Sequence, residues 1–298
     1  TGNQTAGATV GHGLGVAPDY IILKNLTRAG YGWYVLTSTG ATHNMVLNTN
    51  DLQATSTLAW NDTQPTSTVF SLGSDTGPNS NAYPYIAYCF SSTTGFSKAG
   101  ENTGFEPAFL MIKDASVSAP WIMLDNKRNT SNPRNNTIYA NLANAESVTT
   151  VNVNFLANGF QFTTADLDVN RSGSTFTYLA FAADASAAPV LADSFANKLY
   201  DGNGGTQAIT GLGFSPSLVW QKERGQAVNH RWIDTVRGAT NAISSSLTVA
   251  EFAESTGLTS FDTDGFTVGS NVDYNNNGGT FVAWNWKANP VPTINTDG

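Results

Sequence analysis

Gly15-Val-Ala-Pro18-Asp-Tyr-Ile-Ile-Leu-Lys24 decides the fold, because two later stretches follow the same pattern. Gly104-Phe-Glu-Pro107 leads through Phe109-Leu-Met-Ile112 to Lys113, and Gly213-Phe-Ser-Pro216 leads through Leu218-Val-Trp220 to Lys222. In all three the lysine follows the proline by six residues. Gly then Pro makes a turn and presets φ for entry into a strand. The apolar run is too short for a helix and rich in strand formers, so it predicts a central strand buried on both faces. The lysine is expected to mark the strand's exit to solvent.

Working outward, a tryptophan follows each run: Trp33, Trp121 and Trp232. Asp125-Asn-Lys-Arg128 then matches Asp234-Thr-Val-Arg237, while the first stretch has the uncharged Thr37-Ser-Thr-Gly40. Asn158-Gly-Phe160 matches Asp264-Gly-Phe266, with Val69-Phe70 as a weaker counterpart. Each unit closes on Tyr85-Ile-Ala-Tyr88, Tyr178-Leu-Ala-Phe181 or Phe281-Val-Ala-Trp284, 69, 73 and 67 residues from its proline to the alanine. Strand alternation puts Tyr85, Ala87 and Cys89 on one face, and Ile86, Tyr88 and Phe90 on the other. Internal repetition of this kind means stacked copies of one supersecondary unit. The chain therefore reads as all-β, with three tandem, diverged β-sandwich or jelly-roll-like repeats at residues 1–97, 98–188 and 189–290, and an extended tail at 291–298. Ala182–Pro189 is a candidate linker. Helix signals are confined to Leu142–Ser147 and Leu247–Ala253, each enough for a turn or two.

Composition agrees. The 298 residues are 40% hydrophobic and only 12% charged, with Thr, Ser, Asn and Gly filling the difference. Thr favours strands, and Asn, Ser and Gly favour turns. A net charge of −8 with 14 Lys plus Arg leaves no basic cluster, which argues against nucleic acid and anionic membrane surfaces as partners. No apolar run reaches the length of a membrane span, so insertion is not expected. Cys89 is the only cysteine and reads as a small core residue. The first residue is Thr, which points to a processed end or a piece of a longer chain.

Ala6-Gly-Ala-Thr-Val-Gly-His-Gly-Leu-Gly-Val-Ala-Pro-Asp-Tyr-Ile-Ile-Leu-Lys-Asn25 resembles repeats in large structural proteins of tailed bacteriophages. So do Tyr85–Phe90 with Gly95-Phe-Ser-Lys98, Asp234-Thr-Val-Arg-Gly-Ala239, and Gly265-Phe-Thr-Val-Gly269 with Val282-Ala-Trp-Asn-Trp-Lys287. The resemblance spans nearly the whole chain. It implies a virion structural protein at the particle surface: a tail fibre or another appendage, assembled with identical chains as a homotrimer or with other virion proteins, and contacting a host-surface glycan. It carries over no catalytic residue. The chain departs from the pattern in the first unit, which lacks Asp…Arg, and in the second, whose closing strand has no Trp.

Catalytic and metal chemistry finds little footing. His12, His43 and His230 show no metal-ligand spacing, and no Gly-x-Ser-x-Gly elbow accompanies them. Glu106, Asp125, Glu251, Glu254, Asp262 and Asp264 form no recognisable glycosidase pair. Asp125 and Asp234 recur with their arginines, which predicts a structural ion pair. Asp166 with Asp168, and Asp262 with Asp264, are weak calcium candidates that also suit hairpin turns. No cofactor is expected, and the chain reads as a non-enzyme. The candidate ligand-binding residues are aromatics outside the shared landmarks or at chain exits: Trp60, Tyr274 in the polar loop Asn271–Gly279, and Trp286. Two other classes stay open, a stand-alone lectin-like surface module and a polysaccharide-degrading tail enzyme.

Overall fold

Each Gly-x-x-Pro stretch opens a strand that is buried end to end: Tyr20–Asn25, Pro107–Asp114 and Leu218–Glu223. These lead strands lie at the middle of three sheets. Each is flanked by a second strand (Trp33–Leu36, Ile122–Asp125 and Arg231–Asp234) and by a closing strand (Tyr85–Phe90, Phe176–Ala182 and Thr280–Trp286). The sheets have five, seven and four strands, with smaller two- and three-stranded sheets beside them. A computed structural model describes residues 1–99, 103–182 and 194–288. The candidate linker Ala182–Pro189 beyond Ala182 itself, the 188/189 boundary and the tail at 291–298 lie outside the described residues. The chain is all-β, and among the described residues helix is limited to three four-residue turns at Thr76–Asn79, Leu167–Asn170 and Val272–Asn275.

Alternation along the lead strands sorts their side chains between two cores. Tyr20 and Ile22, Phe109 and Met111, and Leu218 and Trp220 all enter one shared core. Ile21 and Leu23, Leu110 and Ile112, and Val219 enter three separate outer cores, one per segment. The closing strand of the first segment divides as its alternation predicts: Ile86, Tyr88 and Phe90 pack on the shared core, and Tyr85, Ala87 and Cys89 on the outer one. Desolvation pushes the Cys89 thiol up to about 12, as suits a core residue. Each outer core is covered from within its own segment. In the first the pair Ala8–Gly11 and Val69–Leu72 forms part of that layer, and in the third the strands Gln207–Thr210, Leu258–Asp262 and Gly265–Val268 do. In the second the sheet itself curls over, so that Val151, Val153 and Phe155 meet Leu110 and Ile112.

The two expected helical stretches, Leu142–Ser147 and Leu247–Ala253, are irregular chain passing into strands. They hold too few residues to repay helix nucleation, and their backbone groups are used by neighbouring segments instead. The loop Asn271–Gly279 is also more ordered than its composition suggests. Asn271 caps the short helix Val272–Asn275, and Asn275 is fully buried.

The lysines that end the lead strands do not reach solvent. Lys24, Lys113 and Lys222 are buried, and each Nζ donates to the carbonyl of the next residue, at 2.8, 2.5 and 2.5 Å. Lys113 and Lys222 add a second carbonyl, Val117 and Gln226. An aliphatic stem that continues a core strand while its head caps the following turn explains why the residue recurs at one offset. Burial lowers all three from 10.5 to about 8. A base with a depressed folded pKa leaves the folded state holding fewer protons than the unfolded chain between those values. Its stability contribution therefore rises with pH there. Urea titrations of wild type and Lys24→Met from pH 7 to 10.5 are expected to show a difference that moves in favour of wild type above about pH 8. A difference independent of pH would contradict a buried ammonium.

Candidate functional site

The recurring polar residues gather at the seams where one segment meets the next. Strand register fixes which positions correspond. Tyr34 opposite Leu23, Ile122 opposite Ile112 and Arg231 opposite Gln221 are equivalent, since each partner precedes a buried lysine. The residues before them are Trp33, Trp121 and His230. His230, not Trp232, is therefore the counterpart of the first two tryptophans. The sequence alignment on Trp232 was two residues out because a second tryptophan stands beside the histidine.

Contacts at this position run round a closed ring. Trp33 Nε1 donates to Ser244 O in the third segment (2.9 Å), and Trp121 Nε1 donates to Val46 O in the first (3.3 Å). His230 Nε2 meets Tyr139 O in the second at 2.9 Å. His230 Nδ1 accepts from Trp220 Nε1 (2.8 Å), and an indole N–H can only donate, so the imidazole proton sits on Nε2. A second ring is made by backbone alone. Gln53 N donates to Ala115 O, Glu146 N to Arg224 O and Glu251 N to Leu26 O, at 2.9, 2.8 and 2.7 Å. The acceptors each lie two residues past a buried lysine.

The Asp…Arg pairs sit at the same seams. Arg128 Nε binds Asp125 Oδ2 at 2.5 Å and Arg237 Nε binds Asp234 Oδ2 at 2.6 Å, both buried. Each arginine also reaches a glutamate, Glu146 or Glu251. Each aspartate accepts one more bond from the closing strand of another segment: Trp284 Nε1 to Asp125 Oδ2 (3.1 Å) and Tyr88 OH to Asp234 Oδ2 (2.7 Å). By strand position and backbone pairing, Thr37, Gly40 and Gln53 of the first segment stand where the others have Asp, Arg and Glu. In the closing sequence motif, Phe181 of the second segment stands where the others have Tyr88 and Trp284. Neither Thr37 nor Phe181 carries the carboxylate or the donor of its counterparts.

At the seam between second and third segments, Arg224 crosses to Glu146 in a two-point contact, Nε to Oε2 at 3.0 Å and Nη2 to Oε1 at 2.9 Å. Burial alone would raise the Glu146 carboxyl, but Arg224 and Arg128 outweigh it and hold it below the ordinary value. At the seam between first and second segments no such pair exists among the described residues. There an open recess of about 370 Å³ is lined by Thr39, His43, Leu52, Gln53, Thr55 and Ala115, among others.

The three aromatics singled out as ligand-binding candidates are core residues. Trp60 is fully buried against Phe70. Tyr274 is a buried residue of the short helix Val272–Asn275, and its OH donates to Glu254 Oε2 at 2.5 Å. Trp286 packs among Phe90, Phe109, Phe181 and Phe195 in the shared core. A position outside the repeated landmarks does not mean exposure, because each segment also has core residues of its own. None of these rings offers a face to a sugar. The acidic candidates are likewise engaged. Asp166 caps a helix through Asp168 N, Asp262 accepts from Ser260 and Thr267, and Asp264 accepts from the amides of Gly211 and Gly213. Burial and the charge of Asp166 raise the Asp168 carboxyl. Among the described residues no group of three or more His, Cys, Asp or Glu is placed to hold a metal ion. Glu251 and Glu254 pair with Arg237 and Arg231, and Glu106 is exposed and apart from both.

One repeated device went unread in the sequence. Asp75-x-x-x-Asn79, Asp166-x-x-x-Asn170 and Asn271-x-x-x-Asn275 each cap a helical turn with the first residue. The last residue donates to a carbonyl six positions back, Gly73, Thr164 or Gly269. The five-residue spacing was the available signal.

The chain belongs to the family described as Domain of unknown function (DUF7483), whose model matches residues 1–185 and 191–298. No curated protein and no solved structure matches the chain.

Two outcomes follow from the seams. Tyr88→Phe is expected to cost about 1.5–3 kcal/mol, the usual range for a hydrogen bond to a charged group. In an Asp234→Ala background the same change should cost almost nothing, because the acceptor is then already gone; equal costs in the two backgrounds would refute the pairing. His230 is buried, and desolvation followed by the charge of Lys222 lowers its pKa from 6.5 to about 3. The unfolded chain takes up a proton below 6.5 that the folded one refuses, so stability falls as pH drops through that window. The slope between pH 6.5 and 5 is expected to flatten in His230→Trp, which installs the residue found at the two equivalent positions.

Proposed function

We propose that this chain is a non-enzymatic structural protein of a tailed-bacteriophage particle, composed of three diverged copies of one β-sandwich-like unit. Its place is a tail fibre or another surface appendage, where it contributes to architecture and host attachment. The observation that carries this reading is the use of the repeated polar residues. The recurring Asp and aromatic donor groups are engaged in holding segments to one another, while the recurring Lys and Arg brace turns and aspartates within each segment. Recurrence of this kind suits a scaffold, since an active site is needed once and a seam is needed at every junction. The resemblance to phage structural repeats points the same way.

Partners in this reading are other virion proteins or identical chains. A threefold arrangement that a homotrimeric fibre would supply is already approached within one chain, so the number of chains per particle is part of the question. A second reading, a stand-alone carbohydrate-binding surface module, is favoured by the uncharged recess between the first two segments.

Quantitative mass spectrometry of purified particles tests the first reading. A fixed, integral number of chains per particle, retained through density-gradient purification, is the expected result. A chain found only as a free monomer, absent from particles, would overturn it.

A further inference from the structure

The three seams use equivalent positions with different residues. Two residues past the buried lysine stand Leu26, Ala115 and Arg224; facing them across the backbone ring are Glu251, Gln53 and Glu146. Between second and third segments, the Arg224–Glu146 pair fills this place. Between third and first, Leu26 packs on the shared core there while Glu251 binds Arg237. Between first and second, every one of these groups is cut back or neutralised: Ala115 for the long side chain, Gln53 for the glutamate, Gly40 for the arginine, Thr37 for the aspartate. Gln53 turns its amide to Thr39 Oγ1 instead (2.8 Å).

Ala115 and Gln53, two of these four residues, line the recess of about 370 Å³. This lies toward the small end of ligand sites, which span about 300–1,000 Å³. Its lining holds no Asp, Glu, Lys or Arg. Leu52 is half-exposed and gives an apolar face. Among the described residues, His43 Nε2, Gln53 Oε1 and Thr55 Oγ1 take part in no hydrogen bond, His43 using only Nδ1 toward Thr42. Replacing a buried ion pair as a whole is often neutral for stability. This seam keeps its backbone bond from Gln53 N to Ala115 O while the space beside it stays open.

We propose that this recess is a binding site for a neutral, hydroxyl-rich ligand, a single residue of an uncharged saccharide. The sugar's hydroxyls would meet Gln53, Thr55, Thr39 and His43, and its apolar face would lie on Leu52. The absence of charge in the lining selects against uronic and sialic acids, which would bring a carboxylate to a wall with no cation to receive it. The inference rests on the attachment half of the proposed function. It does not depend on where in a particle the chain sits.

The test is an amide NMR titration of the full chain with neutral oligosaccharides of glucose, galactose, mannose and N-acetylglucosamine, and with an oligouronate, up to millimolar concentration. Saturable shifts confined to residues 39–55 and the 115 and 175 turns, with at least one neutral sugar and not with the uronate, are expected. Ala115→Arg with Gln53→Glu transplants the residues of the neighbouring seam into the recess. It should abolish those shifts while the unfolding temperature holds or rises. His43→Ala with Thr55→Ala, both at partly or fully exposed positions, should weaken binding about tenfold if the transplant fails to fold. Silence toward every neutral sugar, shifts that survive both variants, or equal binding of the uronate would each overturn the proposal. None of these outcomes would alter the particle stoichiometry.

Discussion

The inner face of each sheet is the constraint on which everything else rests. A lead strand apolar on both faces needs two covers. Each segment supplies one, its own outer layer. The other face, Tyr20 and Ile22 in the first segment and their counterparts Phe109, Met111, Leu218 and Trp220, meets the same faces of the other two segments in one core. No segment can bury that face by itself. Segments that complete one another's core in this way are stable only together. The aromatic content of the chain is concentrated accordingly: Trp33, Trp121, Trp220, Trp232, Trp284 and Trp286 all belong to the shared core.

The polar groups follow from the same constraint. Bringing three sheets together buries strand ends, indole N–H groups and charged side chains that would be costly without partners. The rings of Trp33, Trp121 and His230, and of Gln53, Glu146 and Glu251, answer that cost with acceptors from the next segment. The lysines cap the turns that leave the core. Where Asp…Arg survives, the closing aromatic of another segment carries a donor, Tyr88 or Trp284; where it is lost, the closing aromatic is Phe181. The recurring aspartates thus meet donors from another segment, while the recurring lysines and arginines act within their own.

How much of this was readable beforehand differs by type of signal. The lead and closing strands were legible because a Gly-x-x-Pro turn, a short apolar run and strict alternation leave little choice of conformation. The ion pairs were legible because Asp125 and Arg128 recur as Asp234 and Arg237. The lysines were misread, since a charge at a strand end normally means solvent and only the three-dimensional closure puts carbonyls around it. Trp232 was misaligned because identity was followed where register, set by Gln221 opposite Arg231, is the true guide. Trp60, Tyr274 and Trp286 were misread because burial is a property of the packed layers, and a single chain's spacing does not say which loop folds under another. The recess between first and second segments was not legible at all. It is defined by what Ala115, Gln53 and Thr39 fail to fill, and that shows only when the three seams are compared in space.

The central claim is that three segments share one core and so form one cooperative unit. Differential scanning calorimetry of the full chain measures this directly. A single transition whose van't Hoff enthalpy equals the calorimetric enthalpy is predicted, as for a two-state domain of this whole length. Separable transitions, with a van't Hoff enthalpy near one third of the total, would contradict a shared core and mean three units that fold independently.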